Sequence, residues 1–198
     1  MVSGTLREYP RRVIGRNRRD GKLTYMYGTV NKFGQPLVIN AAWCAESWAL
    51  GADGVVPWQT IGGKDSLTKP DDLAVFYPGP DGPLPSLRLK AFRAGQQLAE
   101  YLTIYSATSA QDRDAVGAAV LALPGMKAGT IKTFADDAGS SAFGDGAARS
   151  VAELRLRLGA WLDAKAPAPR TRWHDPRPAR PDPSLIKPIK AISAVDGK

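Results

Sequence analysis

Cysteine and histidine are almost missing from this chain: 198 residues hold one of each, Cys44 and His174. A single thiol excludes an intrachain disulfide and any zinc site built from several cysteines. The one histidine lies in a proline-rich stretch near the C-terminus, so a Ser-His-Asp or Cys-His device in the folded region is excluded, as are two-histidine metal sites. No apolar run approaches the roughly 20 residues that a membrane-spanning helix needs, and the basic N-terminus is followed by no apolar core of a signal peptide. No membrane partner, metal or cofactor is expected.

Charge of one sign is also scarce where a globular body would carry it. Residues 1–22 hold seven Lys/Arg against two Asp/Glu, and residues 165–198 hold eight against three. The 142 residues between them hold 12 against 14, so the formal charge of +8 belongs to the ends and the body is slightly acidic. Basic arms of this kind can meet phosphate, but a solvated face explains them as well, and nucleic acid is not the expected partner. From Lys165 onward seven prolines and eight basic residues predict a disordered tail.

What is present is organised around Ile39–Gln59. Ile39, Ala42, Trp43, Cys44, Ala45 and Trp48 recur at helical spacing, with Asn40 expected as the N-cap and Gly51 as the terminator. Asp53-Gly54 makes a turn, and Val55-Val56 opens a short strand that Pro57 ends. A strand-like run, Leu23–Val30, precedes it. Helix, turn and short apolar strand make one step of an α/β fold, in which ligands gather at the carboxyl ends of strands. Tyr27 and Asn31 approach that end of the first strand, and Trp58 and Gln59 follow the second. Aromatic faces and carboxamides suit a saccharide pocket. The structural alternatives are a core tyrosine with a loop-holding asparagine, and a tryptophan that plugs the end of the core.

Four ordered motifs, Trp48-Ala-Leu-Gly-Ala-Asp-Gly-Val-Val-Pro-Trp-Gln-Thr-Ile-Gly62, Phe76-Tyr-Pro-Gly79, Pro85-Ser-Leu-Arg-Leu-Lys-Ala-Phe-Arg93 and Glu100-Tyr-Leu102, resemble the C-terminal part of the glycoside hydrolase family 123-like catalytic domain, also called domain of unknown function 4091. The resemblance covers about Leu6 to Tyr105. It implies the last βα units of a (β/α)8 TIM-like barrel over residues 1–105. A helical extension over 106–164 and the tail over 165–198 follow. It also implies a carbohydrate partner of the N-acetylhexosaminidase type, and exported relatives. Relatives that hydrolyse glycosides use a neighbouring Asp-Glu pair, with the substrate's own acetamido group attacking. No Asp-Glu dipeptide occurs here, and Asp71-Asp72 and Asp136-Asp137 read as turn and solvated residues. No catalytic residue is therefore assigned. The expectation is a truncated, split or separately encoded piece that supplies wall residues and hydrolyses nothing alone. Its partners would be the missing N-terminal half of the barrel or a second copy. A non-catalytic carbohydrate- or protein-binding α/β module is the alternative, and an anion or nucleic-acid binder through the basic ends a weaker one.

Further helices are legible. One can begin at Pro10. Ser86 caps a long amphipathic helix through Tyr105, and Glu100 on it reads as a salt-bridge partner. Asp112–Leu123 forms a weaker helix, and Ser150-x-x-Glu153 reads as a capping box for the last one. Leu73–Phe76 is a short apolar strand or extended segment, and Lys127–Gly146 reads as one long Gly/Ser/Asp loop.

Overall fold

The structure is a computed structural model that describes residues 5–28, 30–133 and 136–165. It is a mixed helix and strand fold, about 51% helical, with small sheets. Residues 1–165 form one unit; the tail after them lies outside the described residues.

A short helix α1 (Thr5–Glu8) leads into α2 (Pro10–Arg19), which starts at its proline as the spacing predicts. A proline costs nothing there, because that N–H has no helical acceptor. Ile14 is the buried residue of α2, and Arg11, Arg12, Arg16, Arg18 and Arg19 are all exposed. The arginine cluster is a solvated helix face.

Strand β1 (Tyr25–Gly28), helix α3 (Val38–Ala49) and strand β2 (Gly54–Pro57) form a βαβ unit. The strands pair in parallel from Tyr25↔Gly54 to Gly28↔Pro57. Helix α3 starts two residues before Asn40, which sits in its first turn, 2% exposed, so the expected N-cap is wrong. The carbonyls of Pro36 and Leu37 take the N–H groups of Ile39 and Asn40 at 3.0 and 3.1 Å, and no side-chain cap is needed. The end is as expected. Gly51 adopts φ +94°, and the N–H groups of Gly51 and Ala52 return to Trp48 and Ser47 at 2.9 Å. This paired closure needs a left-handed residue, which glycine adopts without strain.

The segment after β2 departs from expectation. Only Phe76–Tyr77 is strand (β3), paired antiparallel with Leu84–Pro85 (β4). The carbonyls of Leu73 and Ala74 are taken by the side chains of Asn31 and Arg88, so they cannot enter a ladder. Helix α4 (Leu87–Thr108) follows, and the Ser86 hydroxyl accepts from the Arg88 N–H at 3.2 Å, the predicted cap. Helix α5 spans Arg113–Leu121. The predicted long loop is instead a hairpin of β5 (Gly129–Thr133) and β6 (Asp136–Ala142). The last helix, α6 (Ala147–Lys165), begins before the supposed capping box. Ser150 donates to the Pro124 carbonyl at 2.8 Å, and Glu153 accepts from Arg149 at the same distance. Three two-stranded sheets result, and no barrel closes among the described residues.

Helix α3 is the hub. Every residue from Asn40 to Trp48 is buried. Ala41, Ala42, Ala45 and Trp48 meet Leu98 and Leu102 of α4, Val116 and Val120 of α5, and Val151 and Leu158 of α6. Trp43 and Cys44 meet Leu6, Ile14, Met26, Val30 and Phe92 in a second cluster under the sheet. Small residues allow the close approach. A Cβ on Gly95 would stand 2.7 Å from the Cys44 sulfur. One on Gly117 would overlap the Ala49 carbonyl.

Candidate functional site

The βαβ unit fixes where chemistry can gather. Parallel strands point all their carboxyl ends one way, and the chain must leave them through loops that the sheet itself positions. Tyr27 lies near the end of β1 and Trp58 directly after β2. Their rings meet edge to face, with centroids 5.4 Å apart and planes at 71°. Trp58 is 43% exposed, so it does not plug the core. Its N–H donates to the Gly28 carbonyl at 2.8 Å, which extends the ladder by one residue and fixes its backbone.

Among the described residues Gln59 is one of two non-glycine residues with positive φ, at +57°. That left-handed conformation costs a residue with a Cβ about 1 kcal/mol or more. It turns the chain abruptly away from the sheet after Trp58. Strain of this kind gathers at functional sites.

Asn31 has a different role from the one its residue type suggests. It is 1% exposed, and its carboxamide nitrogen donates to the carbonyls of Trp58, at 3.4 Å, and Leu73. It ties the loops after β1 and β2 to the turn before β3. Its oxygen has no hydrogen-bond partner among the described residues. Tyr27, Asn31, Trp58 and Gln59 therefore lie together at one end of the sheet, with Trp58 presenting the face and Asn31 holding the loops.

One neighbour was not legible. Arg88, in the first turn of α4, is 6% exposed and donates to the Ala74 carbonyl and the Tyr77 hydroxyl, each at 2.8 Å. Its guanidinium lies 5.6 Å from the Phe33 ring and 5.9 Å from the Tyr77 ring. Phe33 is 74% exposed and forms the lip of a cavity of about 410 Å³ with Asp71, Asp72, Tyr77 and Pro78. A second, mostly apolar cleft of about 480 Å³ runs past Ile61, Leu67, Phe76 and Pro83. An arginine at a helix start gives no sequence signal that it is buried; only the adjoining aromatic motif hints at it.

The acid pairs are accounted for separately. Asp71 accepts from the N–H groups of Leu73 at 2.8 Å and Gly63 at 3.3 Å, a turn-capping role. Asp136 and Asp137 lie in β6, with side chains outside the described residues. Glu100 is exposed and forms no ion pair among the described residues, so the expected salt bridge is not made. Among the described residues no group of three or more His, Cys, Asp or Glu could hold a metal ion, and no helix is long and apolar enough to cross a membrane. Compared with protein-family models and with curated proteins, the chain finds no match.

Proposed function

We propose that this chain supplies one wall of a carbohydrate-binding site. It would be the C-terminal portion of a glycoside hydrolase family 123-like protein of the N-acetylhexosaminidase type and the last βα units of a (β/α)8 barrel. The carrying observation is the half-exposed Trp58 at the carboxyl end of a parallel strand, held edge-on by Tyr27 and followed by the strained Gln59. A sugar ring stacks its C–H face on such an indole, and a carboxamide beside it takes the hydroxyls. The parallel pair supports the larger sheet. Parallel sheets are normally covered on both faces, yet Tyr25 of β1 is 38% exposed, and Leu23, just before the strand, is 64% exposed. The chain holds no Asp-Glu pair, and in this reading it binds without hydrolysing. A non-catalytic binding module is the second reading, favoured by the way α3 is enclosed by the chain's own helices.

The test is calorimetric titration of the full chain with N-acetylhexosamine oligosaccharides. Millimolar or tighter binding is expected, lost in Trp58→Ala with an unchanged melting temperature. Equal binding by that variant would overturn the proposal.

A further inference from the structure

The outward half of α2 is arginine. At about 100° per residue, Arg11, Arg12, Arg16, Arg18 and Arg19 fill an arc of roughly 160°, and all five are exposed. Val13, Ile14 and Asn17 face the other way. Val13 and Ile14 pack into the cluster under the sheet, and Asn17 donates to the Thr24 hydroxyl at 2.8 Å. No acid stands between Glu8 and Asp20 in the sequence. Among the described residues none of the five arginines makes an ion pair.

Solvation alone does not explain this face, because three of its features cost stability in the free chain. The helix dipole favours Arg16, Arg18 and Arg19 in the last turn but opposes Arg11 and Arg12 at the positive end. Arg12 with Arg16, and Arg16 with Arg19, stand at the i,i+4 and i,i+3 spacings where like charges repel. Gly15 lies inside the arc, and a glycine in mid-helix is destabilising. Its φ is not positive, and a Cβ there would meet nothing within 4 Å. Neither the backbone nor the chain's own packing requires it. The missing side chain leaves room for another molecule to approach the helix closely between the arginines.

We propose that the arginine face of α2 binds the phosphate backbone of a single-stranded nucleic acid, which passes over Gly15. Guanidinium groups pair with phosphate through two hydrogen bonds at once. Helix α2, about 15 Å long, spans about four phosphates at an axial rise of about 3.4 Å. Tyr9 is 51% exposed, with the Arg12 guanidinium 5.8 Å from its ring centroid, and offers a platform on which a base can stack. The groove on the other side of the face, beside Arg11 and Arg18, also holds Asp114, so the favourable path runs over Arg12, Arg16 and Arg19. A membrane surface is the poorer occupant. The aliphatic side chains of α2, Val13 and Ile14, are turned to the core and leave nothing to enter the acyl layer. The inference goes beyond the carbohydrate reading and does not rest on it. Helix α2 leads into the amino end of β1, whereas Trp58 follows the carboxyl end of β2, and the outer helices of a barrel keep their outward faces open.

The probe is a fluorescein-labelled oligothymidylate of about 12 nucleotides, titrated by anisotropy with the full chain at several salt concentrations. Saturable binding that weakens as salt rises is expected. Each single-strand phosphate contact contributes about 0.7 to the slope of log K against log salt. Arg12→Gln combined with Arg16→Gln should therefore reduce that slope by about 1.4; basic residues elsewhere in the chain add to both slopes alike. Gly15→Leu should raise the melting temperature yet weaken binding about tenfold, the worth of one charged hydrogen bond. A glycine with a purely structural role would not give these opposite movements. Tyr9→Ala should weaken oligothymidylate binding about tenfold and leave the binding of a heparin fragment unchanged. Absence of saturable binding, a slope that the arginine variant does not change, equal binding by Gly15→Leu, indifference to Tyr9→Ala, or preference for phosphatidylserine vesicles over the oligonucleotide would each overturn the proposal. The arginine variant should keep whatever oligosaccharide binding the wild type shows, so this inference and the carbohydrate reading fail separately.

Discussion

Glu46 is the least solvated charge described in this protein and gives the sharpest test of its core. It is 1% exposed, in the middle of α3, and accepts from Arg7 Nε at 2.8 Å, Arg7 Nη2 at 2.6 Å and the Ala128 N–H at 3.3 Å. Arg7 also donates to Ser141 at 2.8 Å, so one guanidinium joins α1, α3 and the β5–β6 hairpin. Burial pushes the Glu46 carboxyl up from its usual range, against the opposing pull of Arg7 and the Ala128 N–H. Arg7→Met keeps an apolar stem and removes the cation. It leaves a buried carboxylate with one backbone donor, which costs about 3–5 kcal/mol near neutral pH. The pH dependence has a definite sign. Without Arg7 the folded-state pKa rises further, so over the interval between the unfolded value of about 4.3 and that raised value the native state binds more protons than the unfolded one. Stability then falls as pH rises through the interval and is recovered as pH falls. Urea unfolding of wild type and Arg7→Met at a series of pH values should show the gap narrowing on acidification. Arg7→Met combined with Glu46→Leu should recover most of the loss, because replacing a buried pair with apolar groups is often neutral. A gap below about 1 kcal/mol that does not change with pH would refute the buried-charge argument and mean that water reaches Glu46.

Other perturbations follow from the same geometry. Gly117→Ala puts a methyl into the Ala49 backbone and Gly95→Ala puts one 2.7 Å from the Cys44 sulfur; each should cost about 1–3 kcal/mol by overpacking, read as a drop in the urea midpoint, whereas Gly159→Ala, which meets nothing within 4 Å, should be neutral or stabilising. Cys44 is 5% exposed and burial pushes its thiol up to about 12. It should resist a thiol-reactive chromogen at pH 8 in the native chain and react fully in denaturant; rapid native labelling would contradict its burial. Because α3 lines both core clusters, circular dichroism at 222 nm and tryptophan fluorescence should melt together in one transition, and two separated transitions would show that the sheet and the helices unfold independently.

The parts of the fold that sequence revealed are those whose signal is local. Pro10 can occupy only a helix start, Gly51 supplies the positive φ that closes α3, and Ser86 caps α4 through its own hydroxyl. Where a local signal misled, another partner, local or distant, took its place. Asn40 had every local reason to be a cap, but carbonyls of the preceding loop served instead. Ser150 and Glu153 had the capping spacing, yet Ser150 was claimed by Pro124 across the hairpin. The β5–β6 hairpin carries glycine, serine and aspartate where strands favour branched and aromatic residues, so its pairing has no signature in composition. The site divides the same way. Trp58 and Gln59 stood out through position and type, while nothing in the sequence marks Arg88 or Glu46 as buried, because charge normally lies at the surface.

Those buried charges are what make the architecture specific. Arg7, Arg88 and Arg113 tie distant parts of the chain together; Arg7 does so through a carboxylate, Glu46, and the other two through uncharged oxygens. Arg88 binds carbonyl and hydroxyl oxygens of the segment before and within β3. Arg113 donates to the carbonyls of Trp48 and Ala52, at 3.1 and 2.9 Å, and lies 4.9 Å from the Trp48 ring. Both carbonyls stand at the turn from α3 into β2, where the helix end leaves acceptors without helical donors. A planar guanidinium can serve two such carbonyls at once where an ammonium ion would serve them poorly. Arg113 therefore fixes how α3 hands over to β2, Asn31 and Arg88 fix how the chain leaves the sheet, and the Trp58 face is set between them. The apolar core holds α3 in place. The polar contacts of Arg113 at its C-terminal end and of Asn31 and Arg88 in the loops beyond the sheet hold the backbone around Trp58, on which any ligand at this site depends.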